Sequence, residues 1–348
     1  MRIAILAAAA AVLIAPAAQA AEELTAGQAG QVVDALAGAM ESYVDPAKAG
    51  QVRQALRAAR PDLVRIHDRQ ALAEALSAIT LKISNDAHLK VSVTTASASA
   101  APLSDADQAL LDRRLAYGLM SARRLPANIG YLKLRYFEQG PAGATMIDQA
   151  MALLKDTDAL IIDLRENTGG GGAADERLLG HLSTKPLVMD QIRWRGADGK
   201  VTVENRQVSQ GPGGALYDGK PVYVVIGGRT FSAAEAFAYT VQANKRATLV
   251  GTVTRGGGNP SNRPTPGLGF GLSVFVPNGR VVNPLTGAGW EGAGVKPDVT
   301  APLDGALTEA YRQALAAAKP LVSTPKSDKE RADAIADPAA ALLKDQML

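Results

Sequence analysis

The stretch GGRTFSAAEAFAY (227–239) places Ser232 between a strand-like run and a helix-like one. Two chemistries fit it. Ser232-Ala233-Ala234-Glu235 has the S-x-x-E spacing of a capping box, in which the serine oxygen accepts from the N–H of Glu235. A serine at a helix N-terminus also sits among unpaired backbone N–H groups, where the dipole favours negative charge. Such groups can hold an oxyanion, which is the setting of a nucleophile. Ala233 and Ala234 are small and leave room for a substrate. The surroundings are not G-x-S-x-G, so an α/β-hydrolase elbow is not the match.

A serine nucleophile needs a base. The chain has three histidines, His67, His88 and His181. His67 lies in a helical stretch and His181 on the helix after a glycine run, and both read as packing or capping residues. His88 follows the turn-like Ser84-Asn85-Asp86 at a junction with a strand, a better place for an aimed side chain. The glycine run, NTGGGG (167–172), follows an apolar strand and opens a helix. It matches neither G-K-[ST] nor G-x-G-x-x-G, so it is no phosphate loop. It is either a tight turn or a set of exposed N–H donors. Scattered histidines, no H-E-x-x-H and no cysteine give no zinc site, and no organic cofactor is implied.

Elements that could position these residues follow from pattern. Residues 23–80 carry apolar residues at helical spacing in three runs, with Thr25 as an N-cap and Asp45-Pro46 as a break. Leu89 to Val93 alternates like a strand, and TTASASAAPLS reads as a loop. Residues 105–122 predict one more helix. From residue 126 strands alternate with helices, which indicates an α/β domain. Two hairpins are expected, around Ala197-Asp198-Gly199-Lys200 and around Asn278-Gly279. A last helix is expected at 303–318, then a polar, peripheral tail.

Bulk composition narrows the partners. At 348 residues the chain can bury a sizeable core, and 47% hydrophobic content is that of a folded protein. A net charge of +3, no dense Lys/Arg block and 4% aromatics argue against a nucleic-acid partner. The opening MRIAILAAAAAVLIAPAAQA has a basic start, an apolar core and an Ala18-Gln19-Ala20 cleavage pattern, which predicts a signal peptide over 1–20. With no cysteine to carry a lipid and no later run of ~20 apolar residues, no stable membrane insertion is expected after cleavage, and the chain reads as periplasmic or secreted.

IGYLKLRYF, LIIDLRENTGGGG, GGRTFSAAEAFAY, ATLVGTVTRGGGNP and WEGAGVKPDV occur in that order. Together they resemble the superfamily of tail-specific (C-terminal processing) proteases, tricorn protease and the interphotoreceptor retinoid-binding protein. The likeness covers roughly residues 126 to 300. It implies a crotonase-like (ClpP-like) α/β core with a smaller N-terminal helical domain. The expected division is 21–125 helical and ending in a strand, 126–320 core, 321–348 tail. The tail-specific branch uses a Ser-Lys dyad, but Gly257 stands where that lysine would be. By resemblance to the tricorn branch, Ser232 is the nucleophile, His88 the general base and Glu291 the orienting acid. The N–H groups of Ala233 and Gly170 form the implied oxyanion hole. The tricorn pattern has a serine directly before the histidine, and this chain has Ala87. Only about forty residues separate His88 from the first core strand, too few for the peptide-binding module of the tail-specific branch. Arg165 and Asn167 read as structural, and Trp290 as groove lining or packing beside Glu291. The implied activity is hydrolysis of peptides or proteins. The alternative is a non-catalytic binder of an apolar small molecule or peptide on the same fold.

Overall fold

The computed structural model describes residues 23–94 and 104–346. The expected signal segment and most of the TTASASAAPLS loop lie outside them. Helices α1 (Ala26–Ala39), α2 (Pro46–Leu63) and α3 (Arg69–Ser84) come first, then β1 (Val91–Val93), α4 (Asp105–Arg114) and β2 (Leu119–Leu125). The middle of the chain holds β3 (Ile129–Leu134), α5 (Pro141–Leu154), β4 (Ala159–Asp163), α6 (Ala173–Gly180), β5 (Gln191–Arg195), β6 (Val201–Asn205), β7 (Val222–Ile226) and α7 (Ala233–Ala243). The remainder is β8 (Thr248–Gly251), β9 (Gly267–Gly269), β10 (Leu272–Val274), β11 (Gly279–Val282), β12 (Val299–Thr300), α8 (Ala306–Ala317), α9 (Pro325–Ala336) and α10 (Pro338–Gln346).

A mixed sheet of order β12-β8-β7-β4-β3-β2 forms the centre, and every pair in it is parallel except β2 with β3. Strands β4 and β7 are buried throughout, and apolar but for Asp163 at the end of β4, because both faces are covered. Their side chains alternate between two cores. Leu160, Ile162, Val222 and Val224 pack with Ile147, Leu178 and Phe237 of α5, α6 and α7. Ile161, Tyr223 and Val225 pack on the other side with Tyr311 and Leu315 of α8. Residues 321–346, expected as a polar tail, include α9 and α10, whose Ala334 and Leu342 are buried in that second core.

A third core holds α1 to α3 together. Thr25 caps α1 in a reciprocal pair with Gln28, as expected, and Asp45 and Asp68 cap α2 and α3. This core is not contiguous in sequence. β1 pairs with β10, and Leu268, Leu272, Val274 and Val276 close the cluster from beneath the helices. The chain from 267 to 276 thus belongs to the N-terminal helices in space. Conversely β2, within the segment expected to be helical, is an edge strand of the central sheet, and α4 stops at Arg114.

The hairpin expected around Asn278-Gly279 does not form. β10 joins β1, whereas β11 joins β5 in a separate sheet of order β11-β5-β6. Asn278 pairs instead with distant chain: its amide donates to the Arg195 carbonyl at 3.2 Å and to Asn262 Oδ1 at 2.8 Å. Gly279 serves close packing, since a Cβ there would lie 2.5 Å from the Trp194 ring. Gly279→Ala should therefore lower stability by about 1–3 kcal/mol through overpacking. Urea unfolding checks this, and an unchanged midpoint would show that the Trp194 contact is slack.

Candidate active site

The turn from β7 into α7 is fixed from both sides. The Thr230 hydroxyl donates to the Leu164 carbonyl at 2.7 Å, and the Phe231 N–H to the Asn167 carbonyl at 3.0 Å. Ser232 then takes φ 54°, ψ −120°. A side chain other than glycine holds such a conformation at about 1–3 kcal/mol, and only where its surroundings enforce it. The Ser232 N–H donates to Glu235 Oε2 at 2.9 Å, and the Glu235 N–H to the backbone carbonyl of Ser232 at 2.9 Å. The box arrangement is therefore present, with the serine side chain turned toward the Glu235 N–H, but the bond from that N–H goes to the Ser232 carbonyl and the hydroxyl makes no hydrogen bond of normal geometry to it.

Glu235 is fully buried. Besides Ser232 it accepts from the Thr254 hydroxyl at 2.5 Å and from the N–H groups of Gly256 and Gly257 at 2.6 and 2.8 Å. Burial raises its carboxyl, and those donors oppose the rise without cancelling it. The sequence pointed to Glu235 only as a cap; it also ties the Ser232 turn to the loop at 254–258.

The glycine run lies against that turn. Asn167, buried, accepts the Gly169 N–H on Oδ1 at 2.9 Å. Phe137 donates to the Gly169 carbonyl and accepts from the Gly171 N–H. Gly170 has φ 106°, and a Cβ there would lie 2.0 Å from the Phe137 carbonyl oxygen, so only glycine fits. Among the described residues no acceptor takes the N–H of Gly170 or of Ala233.

His88 reaches the same place from the helical side. α3 ends on Asn85 in the left-handed region, and the Asp86 carboxylate then accepts the His88 N–H at 2.9 Å. The imidazole stacks on Phe231 at 4.3 Å and nears Phe275 at 5.5 Å. Burial lowers it to about 4; Asp86 pushes it up and Arg255 down. Its Nδ1 is buried without a partner, and so is Oε1 of Glu291. Donor atoms of Asp86, His88 and Glu291 lie within 4.8 Å of one another, near enough to hold a metal ion. Asp86 already accepts from Tyr43, Asn259 and the His88 N–H, and Glu291 Oε2 takes the Gly258 N–H at 2.6 Å. Asp86 was not singled out from the sequence, although its position two residues before His88 was the available signal. Ala87, directly before the histidine, offers no hydroxyl to link it to an acid.

Ser232, His88, Gly170 and Ala233 line one cavity of about 260 Å³, together with Trp290. Glu291 stands behind His88. Trp290 is buried and donates to the Gly257 carbonyl at 3.0 Å. A Cβ on Gly257 would lie 2.1 Å from the Phe231 ring and 2.8 Å from His88 Cε1. The histidine and phenylalanine thus occupy the space a lysine at 257 would need. His181 pairs with Asp148 and the Gly214 carbonyl, and His67 with the Leu24 carbonyl, so both are structural. Arg165 clamps Asp163 and the Leu303 carbonyl outside this cavity.

The sequence profile of Peptidase family S41 matches residues 128–301, half of the chain. The chain belongs to this family. The S41 match takes in Ser232, the glycine run and Glu291 but begins after His88. Carboxyl-terminal-processing peptidase 2 of Arabidopsis thaliana, chloroplastic, is 27% identical over 150 residues; the match covers 42% of this chain and only 27% of that relative. Two solved structures share the fold. A candidate peptidase from Parabacteroides merdae has a TM-score of 0.53 at 20% identity, covering 78% of this chain and 89% of its own. A lipoprotein from Streptococcus agalactiae has 0.52 at 14%, covering 84% and 97%.

Burial, and Asp86 next, raise Glu291 from 4.5 to about 8. The folded state therefore binds the Glu291 proton more tightly than the unfolded chain. That contribution is complete below about 4.5 and is lost as pH rises through about 8. Glu291→Gln cannot ionise, so its stability relative to wild type should rise between pH 5 and pH 8.5. Denaturant unfolding at the two pH values checks this, and a gap independent of pH would show that Glu291 is not held protonated.

Proposed function

We propose that this S41 chain is an exported serine peptidase that hydrolyses peptide bonds of peptides or proteins through an acyl-enzyme. Ser232 Oγ attacks the carbonyl carbon, and its proton passes by way of His88 to the departing amine as the C–N bond breaks. Water then reverses the sequence and frees the acid. The Gly170 and Ala233 N–H groups receive the oxyanion. Glu291, with Asp86 beside it, orients the imidazole. One observation carries this reading: Ser232 is held in a strained conformation, with its hydroxyl left out of the helix cap, in a cavity shared with a histidine and two unclaimed N–H groups. A capping serine needs none of these. Burial holds His88 in the neutral form that can accept the Ser232 proton, and lowers its basicity at the same time.

The crotonase-like description of the core belongs to this proposal and is supported by the parallel strands with helices on both faces. Export rests on the pattern of residues 1–20. Among the described residues no helix is long and apolar enough to cross a membrane.

A fluorophosphonate probe should label the purified protein, and labelling should vanish in Ser232→Ala and in His88→Ala. A folded protein that stays unlabelled from mildly acidic to mildly basic pH would sink the peptidase reading in favour of the ligand-binding alternative. Gly257→Ala pushes against Phe231 and His88, and a displacement on the order of 1 Å should slow labelling about 100-fold. An unchanged rate would mean that His88 is not held by that contact.

A further inference from the structure

One wall of the Ser232 cavity is built from acids that the proposed reaction does not use. Glu176 at the start of α6, Asp190 before β5, and Glu204 and Arg206 on and after β6 all line it. Arg206 is the one fixed cation among the described residues on that wall. Its guanidinium lies 2.7 Å from Asp175, 3.3 Å from Glu176 and 3.8 Å from Asp190. One positive charge therefore faces three carboxylates, and Glu204, an exposed acid on the same wall, accepts among the described residues only from the Trp194 indole N–H at 2.7 Å. Asp175 and Asp190 are buried, and each keeps one oxygen, Oδ1, without a hydrogen-bond partner. Buried carboxylates left short of positive charge are unfavourable, and they draw a cation into a cavity of low dielectric.

We infer that this wall is a specificity pocket that takes a cationic side chain, lysine or arginine, of a peptide bound at Ser232. The inference rests on the peptidase reading for the reaction, but the pocket itself is a binding site. Arg206 holds the acids apart and in place, and the incoming ammonium or guanidinium supplies the missing charge. Burial pushes Asp175, Asp190 and Glu176 up, with Arg206 opposing it, as expected of acids that lack a second cation. An anionic side chain would meet the same wall with repulsion.

Two readouts test this. Calorimetry with benzamidinium and its neutral analogue benzamide tests the pocket without turnover. Wild type should bind the cation at least about tenfold more tightly, the scale of one unscreened charge pair. Glu176→Gln/Glu204→Gln should lose most of that ratio, and Glu204→Gln alone, at an exposed position, provides a variant whose folding is not at risk. In parallel, fluorogenic peptides varied at the residue before the scissile bond should be cleaved about tenfold faster with lysine or arginine than with glutamate. Equal binding of the two benzene derivatives, or faster cleavage of the glutamate peptide, overturns the inference. Probe labelling of Ser232 without any cation preference removes the pocket and leaves the peptidase. Cation binding without labelling does the reverse.

Discussion

The segment 254–259 serves three half-buried or buried acids at once, and the geometry of the site depends on it. Thr254, Gly256 and Gly257 donate to Glu235, Gly258 donates to Glu291, and the Asn259 amide donates to Asp86. Each acid comes from a different part of the chain: α7, the loop before β12, and the junction after α3. A carboxylate taken out of water must find donors, and backbone N–H groups provide them only if the chain can pass very close. That is why the segment is rich in glycine. The same close passage sets the Ser232 turn, through Glu235, in register with the imidazole, which lies over Phe231. The two proposed reacting side chains sit on different cores, one under α7 and one under α3, and this segment holds the cores together at the point where they meet.

Two acids beside one histidine divide the work by their donors. Asp86 accepts from Tyr43, Asn259 and the His88 backbone N–H, so its oxygens are occupied by donors. Glu291 has backbone donors on one oxygen only, is pushed up by burial and by Asp86, and keeps Oε1 unpartnered near His88. Burial and Asp86 therefore both favour the protonated form of Glu291.

Much of this was legible in the sequence because it was local. Thr25 caps α1 and Asp45-Pro46 ends the first helical run, as their local chemistry predicts. The uninterrupted apolar runs at 159–162 and 222–226 became central strands, since only a strand covered on both faces tolerates them. Ser232, His88, Gly170 and Ala233 form one group by family resemblance and not by any local pattern, and they line one cavity. What stayed hidden was long-range. Nothing near Leu268 or Leu272 shows that they complete a core made by α1 to α3, because their partners lie far back along the chain. Asn278-Gly279 has the composition of a hairpin turn, but Asn278 is claimed by Arg195 and Asn262, contacts that only the folded chain supplies. The acid wall was equally invisible: Asp175, Asp190 and Arg206 are ordinary charges in sequence and become a cluster only when β6 lies over α6.

The absent lysine and the present histidine are one structural choice. A side chain at 257 and the imidazole of His88 cannot both occupy the space beside Phe231, because the first Cβ already collides with both rings. A chain with lysine at 257 would have to move the loop that carries His88, and with it the Asp86 contact to Asn259 that joins the helical lobe to the 254–259 segment. Glycine at 257 keeps that joint closed, leaving its N–H for Glu235 and its carbonyl for Trp290. The base in this chain therefore comes with the lobe that carries it. Any motion of α1 to α3 relative to the central sheet would move His88 with respect to Ser232, so the packing of that lobe is part of the site and not merely its support.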